Sequence, residues 1–469
     1  MVDIILKNAN GINQEYYGIT KIKVPKTDGN LATFIEESVV SGGGEVNGYI
    51  KKFKVQFGER INSGDFVEFV NDIVQTELST TSGIINNFDN IINLSDNKFF
   101  IAYNSGEKLA GLIVELNGDE ATITTQILNN NSYSSRNYLP VSALVDDNKI
   151  FIAHCYSYDY YIYGTLIEIN GTEMNVLETK SLTNSREVDT EMSITVLETN
   201  KVFLVRGVGR QVKGQTITTD NSTITVTKSS TILSEDYSGY ENKPFVCKLE
   251  DEKVLLVNRY HNYHTSKSKQ LGIHILDTTT LIVENSTFSE PIPYNIGCLI
   301  QLTNNKIFAP YKYDDTGRLK SIIINIDDKN ISTKIIDLGQ QYCKYSINSG
   351  YGPTGIALNK NTISLVYTRM VSETLNSTTI ELDDDDNLVL TITTEIDNTS
   401  HSAYYRPMVT YFNNKLLYLH VKQAVNNGYY FYATIYKGLN VKPKDINING
   451  VAKTSGSNGE EIEVYIPIK

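Results

Sequence analysis

The sequence contains no tryptophan, only four cysteines among its 469 residues, and no apolar run long enough to span a membrane. The cysteines, Cys155, Cys247, Cys298 and Cys343, are far apart, whereas a zinc site or a disulfide framework needs closer pairs. We therefore interpret them as free thiols that fill apolar space. Because a transmembrane helix needs about 20 consecutive apolar residues, no membrane partner is expected.

Positive charge is also scarce, since 42 lysines and arginines stand against 54 aspartates and glutamates, a net charge of −12. Proteins that bind nucleic acid generally carry a basic surface, so this balance argues against a nucleic-acid partner. The N-terminal residues 1–7 lack the basic start and the apolar centre of a secretory signal peptide. We expect the protein to be made in the cytosol and to stay there, or to leave by a route other than secretion.

The sequence does contain a recurring phrase of asparagine, lysine and two apolar residues. Its copies follow one another at intervals of about 51 to 56 residues, the size of a β-propeller blade. Short runs of strand-forming residues surround each copy and are separated by turns such as that at Asn170 and Gly171. Apolar residues at helical spacing are absent, which argues against a helical solenoid. The copies occupy residues 97–100, 148–151, 200–203, 252–255, 305–308 and 414–417, with a degenerate copy at 361–364.

Seven copies with four short strands each predict a seven-bladed β-propeller over residues 82–440. A four-stranded meander cannot bury both of its faces alone, whereas seven meanders stacked radially cover one another. An extended β-solenoid is the alternative. Residues 1–81 and 441–469 contain short strands and glycine-marked turns, and the second segment is too short for a core of its own. We therefore predict an all-β protein in which the two ends form one small β domain and the propeller is inserted in that domain. Residues 71–81 are expected to form a linker into the first blade.

Both ends resemble parts of virion proteins. Residues 61–70, with Ser63, Gly64, Asp65 and Phe66 at their centre, resemble a segment in structural proteins of tailed bacteriophages of Gram-positive hosts. Residues 450–467 are similar to the closing segment of phage head-decoration and tail-fibre proteins. The resemblance covers the two ends and none of the propeller. It implies a virion protein, or a part of a phage-tail-like bacteriocin, that is assembled in the host cytoplasm.

The resemblance also implies docking on other virion proteins of the baseplate, tail or capsid, with the chain as a homo-oligomer on the particle. A tail-fibre or baseplate position is favoured, because a propeller with a decorated face suits contact with the host, and capsid decoration is the alternative. The residues expected to dock are Gly64, Asp65, Phe66, Val451, Val464 and Tyr465.

Tyrosine is abundant, with 31 residues, and it concentrates where the blades would have their second loops and their connectors. The first and third turns are short, so one end of the propeller should be a plain scaffold and the other a tyrosine-rich surface. A flat apolar ring with a hydroxyl suits the binding of a host cell-wall polysaccharide. The alternative is that tyrosine is frequent through compositional drift. The predicted ligand-binding residues are Tyr156, Tyr158, Tyr160, Tyr260, Tyr263, Tyr311 and Tyr313.

No catalytic residue, metal site or cofactor is predicted. His261 and His264 lie close together but have no acidic or cysteine partner nearby, so a polar loop is the better interpretation. The acidic run 383–386 lacks the alternating ligands and the distal glutamate of a calcium loop, and we interpret it as a solvated turn. A polysaccharide-degrading enzyme, in which two carboxylates converge across blades, is the second alternative function.

Overall fold

The structure is a computed structural model in which every regular element of the described residues is a β-strand. No helix in these residues is long and apolar enough to cross a membrane. The structure describes residues 4–7, 13–16, 48–55, 60–61, 66–78, 90–105, 108–118, 120–129, 140–155, 161–184, 191–209, 211–234, 244–250, 252–261, 269–292, 296–313, 317–342, 352–369, 374–397, 407–412, 415–423, 429–443, 450–452, 456–457 and 461–467.

The chain begins with strands that belong to the terminal segments. These are β1 (Ile4–Lys7), β2 (Asn13–Tyr16), β3 (Gly48–Val55), β4 (Arg60–Ile61) and β5 (Phe66–Leu78).

Six four-stranded antiparallel meanders follow, each with its strands paired in sequence order. Blade 1 contains β6 (Ile92–Ser95), β7 (Lys98–Ser105), β8 (Lys108–Asn117) and β9 (Glu120–Asn129). Blade 2 contains β10 (Val141–Asp146), β11 (Lys149–Cys155), β12 (Ile162–Asn170) and β13 (Glu173–Ser181). Blade 3 contains β14 (Glu191–Glu198), β15 (Lys201–Val208), β16 (Gln211–Asp220) and β17 (Thr223–Leu233).

The next three meanders repeat this arrangement. Blade 4 contains β18 (Phe245–Lys248), β19 (Lys253–His261), β20 (Lys269–Asp277) and β21 (Ile282–Phe288). Blade 5 contains β22 (Ile300–Thr303), β23 (Lys306–Lys312), β24 (Arg318–Asp327) and β25 (Asn330–Tyr342). Blade 6 contains β26 (Thr354–Asn359), β27 (Thr362–Thr368), β28 (Leu375–Leu382) and β29 (Leu388–Asp397).

Blade 7 takes three strands from the end of the repeat region and its fourth from the N-terminal segment. It contains β30 (Met408–Phe412), β31 (Lys415–Gln423) and β32 (Tyr429–Pro443), and β5 lies beside β32. Gln75 on β5 donates from Nε2 to Asp397 Oδ2 at 2.8 Å and to Thr434 Oγ1 at 3.1 Å. Residues 71–78 are therefore not the linker that the sequence analysis predicted. They form part of a strand because the outer edge of β32 would otherwise expose its backbone hydrogen-bonding groups.

The two ends of the chain also meet in one sheet. The strands that complete it are β33 (Gly450–Ala452) and β35 (Glu461–Pro467), while β34 (Gly456–Ser457) pairs with β4. β35 pairs with β3 and with β33, and β33 pairs with β5. By compactness the chain divides into one unit of Met1–Ile73 with Tyr436–Lys469 and a second unit of Val74–Ile435. The predicted fold, an all-β chain with a seven-bladed propeller, is confirmed.

The core of the propeller lies between the blades, because each blade has apolar side chains on both of its faces. In blade 2, Ile150 and Ile152 pack with residues of blade 1, whereas Phe151 and Ala153 pack with residues of blade 3. Successive residues of a strand point to opposite faces, so one apolar run serves two interfaces. This double burial explains why the repeated phrase continues into an uninterrupted apolar run rather than an alternating one.

The ring is closed by contacts between the first and last blades. The rings of Phe99 in blade 1 and Phe412 in blade 7 meet edge to face, with their centroids 5.6 Å apart. Phe99 also shares an apolar cluster with Leu417 and Phe431 of blade 7. Each blade therefore packs against a neighbouring blade on both of its faces. A linear β-solenoid would leave its first and last units without one neighbour.

In blades 3 and 5 the lysine of the repeated phrase forms an ion pair with the following blade. Lys201 Nζ lies 2.9 Å from Glu252 Oε1, and Lys306 Nζ lies 2.6 Å from Asp386 Oδ1. Asp386 also accepts a hydrogen bond from Asn325 Nδ2 at 3.0 Å and is only 7% exposed. The acidic run 383–386 is thus not simply a solvated turn, because its last carboxylate is buried against cations and amides of blade 5.

The aromatic residue of the phrase requires a very small residue on the third strand. A Cβ atom added at Gly164 would lie 2.7 Å from Phe151 Cε2, and one added at Gly214 would lie 2.8 Å from Phe203 Cζ. Close packing of this kind leaves no space for a methyl group. The three pairs of this type are Phe100 with Gly111, Phe151 with Gly164 and Phe203 with Gly214.

We predict that Gly164→Ala lowers the free energy of unfolding by about 1–3 kcal/mol, because the methyl group overpacks a filled core site. Urea denaturation followed by circular dichroism measures this change. The double variant Phe151→Leu with Gly164→Ala should lose less than the sum of the two single variants, since leucine is smaller and stands at this position in the copies at Leu255 and Leu417. Wild-type stability of Gly164→Ala would contradict the packing argument.

Candidate functional site

A groove with a volume of about 520 Å³ lies between blades 2 and 3. It lies where β13 ends and where β15 leads into β16. The loops between the second and third strands of the blades, and the connectors between blades, lie at this end of the propeller. Three cations, Lys180, Arg206 and Lys213, line it, and Leu182 and Val226 provide its apolar surface. The other lining residues carry hydroxyl or amide groups, and the described lining contains no carboxylate.

Arg206 occupies a position that recurs in all seven blades. It is the fifth residue after the lysine position of the phrase, and the corresponding residues are between 0% and 4% exposed. Their side of the strand faces the preceding blade, as the packing of Tyr311 against blade 4 shows. Arginine is the only permanently charged residue in this row, so one interface differs chemically from the others. The row consists of Tyr103, His154, Arg206, Asn258, Tyr311, Tyr367 and His420.

In several blades this residue starts a chain of hydrogen bonds across the sheet. In blade 2, His154 Nε2 lies 2.8 Å from Thr165 Oγ1, which in turn lies 3.1 Å from Thr179 Oγ1. Polar groups buried together in this way stabilise a fold only when their hydrogen bonds are satisfied. Equivalent chains join Asn258, His274 and Ser286 in blade 4, Tyr367, Thr378 and Thr393 in blade 6, and His420, Thr434 and Gln75 in blade 7.

The third-strand member of this pattern in blade 3 is Gln215, which lines the groove and is 2% exposed. Its Nε2 donates to the carbonyl oxygen of Leu182 at 2.8 Å and to Ser229 Oγ at 3.3 Å. Its Oε1 is buried and meets no donor among the described residues. A buried acceptor of this kind costs free energy unless a donor reaches it.

Two of the buried histidines are held neutral by their surroundings. Burial lowers the pKa of His154 to about 3 and that of His274 to about 4, because the protonated ring would lose its hydration. At neutral pH both rings therefore act as uncharged hydrogen-bonding groups within their blades. They contribute to stability rather than to acid–base chemistry near pH 7.

We predict that the free energy of unfolding falls as the pH is lowered below about 6.5, because the unfolded chain protonates these histidines while the folded chain does not. Each histidine contributes about 1.4 kcal/mol per pH unit, down to its own folded pKa. Urea unfolding at several pH values between 5 and 6.5 measures the slope. In the His154→Gln variant the slope should be smaller by the contribution of one histidine, about 1.4 kcal/mol per pH unit, whatever the absolute stability of the variant. An unchanged slope would contradict the assignment.

The structure corrects one of the predicted ligand-binding residues. Tyr311 is fully buried on β23, within the core between blades 4 and 5, and burial raises its pKa. The sequence analysis placed it in a loop, but it holds the recurring inward position of the strand. Tyr313 lies beyond the strand and is 37% exposed, with Lys320 Nζ 3.6 Å from its ring centroid. The structure thus does not bring these two rings to one surface.

The other predicted residues have different outcomes. Tyr260 is part of β19, and Tyr156, Tyr158, Tyr160 and Tyr263 lie outside the described residues, as do Gly64 and Asp65. In the terminal sheet, Val451 is paired with Phe66 on one side and with Tyr465 on the other, and Val464 is paired with Ala452. Four of the residues expected to dock are therefore neighbours in one sheet.

The sequence analysis missed the residues that line the groove, above all Arg206, Lys213 and Gln215. A usable signal existed, because counting five residues forward from each lysine position finds Arg206 as the only cation in that row. Where the chain is described, no group of three or more histidine, cysteine or acidic side chains could hold a metal ion.

No protein-family model and no curated protein matches this chain. Solved structures with similar architecture include a chain of hydrazine synthase from Kuenenia stuttgartiensis, with 10% identity and a TM-score of 0.44, covering 79% of this chain and 99% of that one. AofleA from Arthrobotrys oligospora has 9% identity and a TM-score of 0.41, covering 83% and 99%. The NanB sialidase from Streptococcus pneumoniae has 12% identity and a TM-score of 0.39, covering 76% and 70%.

Proposed function

We propose that this chain is a virion-surface binding protein without enzymatic activity, which displays its propeller for contact with host cell-wall saccharides. The observation that carries the proposal is the composition of the groove between blades 2 and 3. Its hydroxyl, amide and cationic side chains are groups that bind saccharides, and its described lining has no carboxylate. Glycoside hydrolysis typically uses two carboxylates on either side of the scissile bond. The groove therefore favours binding over the polysaccharide-degrading alternative.

The terminal sheet is the proposed point of attachment to the particle. It combines strands from both ends of the chain, and these are the segments that resemble virion proteins. A tail-fibre or baseplate position fits a protein that contacts the host, and capsid decoration would use the same sheet. In either position several copies would be displayed together, which raises avidity without new contacts.

We predict that the purified protein is retained by host cell-wall glycans and releases no new reducing ends from them. Lys180→Ala, which removes an exposed cation from the groove, should weaken retention about tenfold, the effect of losing one hydrogen bond from a charged group of about 1.5 kcal/mol. Asp147→Ala, in an exposed short turn at the opposite end of the propeller, is the matched control and should have no effect. Release of reducing ends by the wild-type protein would overturn the binding proposal in favour of the enzyme.

We predict that Val451→Pro abolishes incorporation into particles, because proline removes a backbone donor from a strand that is paired on both sides. Quantification of the protein in purified particles measures this loss. Val451→Thr keeps the backbone donor and the β-branched side chain, and it should be incorporated normally. Thermal unfolding of the isolated variants shows whether the propeller stays folded. Normal incorporation of Val451→Pro would contradict docking through this sheet.

A further inference from the structure

We propose that the outer strand of blade 1 is an interface between two copies of this chain, which join by antiparallel backbone pairing of β9 with the same strand of the second copy. β9 is the last strand of its sheet, and its outer edge has no neighbouring strand among the described residues. The inference goes beyond the proposed function, because it concerns self-association and does not depend on what the propeller binds.

The first argument is the direction of the backbone groups on β9. Leu116 N donates to the carbonyl oxygen of Asn97 at 2.8 Å, and Asn97 Nδ2 donates to the carbonyl oxygen of Leu116 at 3.1 Å. Both backbone groups of Leu116 therefore point toward β7, and those of its cross-strand partner Ala121 point outward. This direction alternates along an antiparallel strand, so every second residue of β9 faces outward. The outward-facing residues are Ala121, Ile123, Thr125 and Ile127.

The second argument is that β9 lacks the features that protect the outer strands of blades 2 to 6. Its register with β8 is unbroken over eight residue pairs, and residues 121–129 contain no charge and no proline. In blades 2, 3, 4 and 6 a register shift interrupts the outer strand near the turn that leads into it. The outer strand of blade 5 carries Lys334 and Asp337. Bulges and charges prevent strand addition at an edge, so their absence distinguishes β9.

The third argument is that β9 is complementary to itself. An antiparallel pair centred on Thr124 brings all four outward-facing residues of one strand opposite those of the other. Ile123 then stands opposite Thr125, and Ala121 stands opposite Ile127. Residues paired in this way exchange both of their backbone hydrogen bonds. The arrangement has a two-fold axis and closes with two copies, because it uses the one open edge of β9 in each.

The side chains of β9 permit this pairing. Glu120 is the one charged residue of the strand, and in this register it stands opposite Leu128, so no like charges meet. Ile127 is 39% exposed in the single chain, and the pairing places the methyl group of Ala121 beside it. A second copy of β9 therefore satisfies the backbone groups of the edge and covers part of its exposed apolar surface.

The test is the molar mass of the full chain, measured by light scattering after size-exclusion chromatography over a range of concentrations. The wild type should reach the mass of two chains. Thr124→Lys and Thr124→Glu should each halve that mass, because like charges then meet at the two-fold axis. An equimolar mixture of the two variants should restore it. The matched control is Thr333→Lys, which adds the same charge at an exposed threonine on the outer strand of blade 5 and should leave the mass unchanged.

Thr125→Pro is the second variant. Its N–H group points outward, so proline removes a donor from the proposed interface and none from the pairing with β8. The mass should again be halved, while the urea unfolding curve shows that the propeller stays folded.

Each outcome decides for or against the pairing. A wild-type protein with the mass of one chain at every concentration would overturn it and leave the edge to a strand of another protein. A dimer that persists in both Thr124 variants and in Thr125→Pro, or that Thr333→Lys disrupts equally, would overturn β9 as the interface. Recovery of the dimer in the mixture supports direct contact of the two strands. None of these measurements involves a glycan, so the proposed function stands or fails separately.

Discussion

The propeller depends on one constraint, which is that every blade needs a neighbour on both faces. A single blade has apolar side chains on its two sides, so its burial is complete only when the ring is closed. The edge-to-face contact of Phe99 with Phe412 and the apolar cluster around Phe431 show that closure. β5 then completes the last blade, and Gln75 supplies the polar group that other blades carry on their own fourth strand. Closure by a strand from the opposite end of the chain makes blade 7 dependent on both ends.

A second feature of the ring is that one position of the second strand is buried in every blade, while the residue type at that position differs between blades. The residue five places after the lysine position is buried in every blade, whatever its chemistry. Tyrosine and apolar neighbours fill the interface between blades 4 and 5, whereas histidine and threonine form hydrogen-bonded chains elsewhere. In blade 3 the residue is an arginine, and a groove lies beside it. The chemical difference between the interfaces thus comes from single residues on a common frame.

The sequence predicted most of the fold because the repeated phrase marks the second strand of each blade, and the turns on either side mark its neighbours. It did not reveal the closing strand, because residues 71–78 have no copy of the phrase and their role depends on contacts hundreds of positions away. The error at Tyr311 has a local cause, since the end of an apolar run was interpreted as the start of a loop. The groove required knowledge of which strand faces which blade, and composition alone does not give that information.

The closing strand also determines the order of events during synthesis. Gln75 leaves the ribosome early, whereas its partner Thr434 follows 359 residues later. At a translation rate of about 5–20 residues per second, β32 is synthesised roughly 20–70 s after β5. Such a long-range pairing is also the slowest kind to form, because a very large loop must be closed. Completion of the ring therefore comes after the synthesis of all seven blades, and a nascent chain with six finished blades still has one open edge.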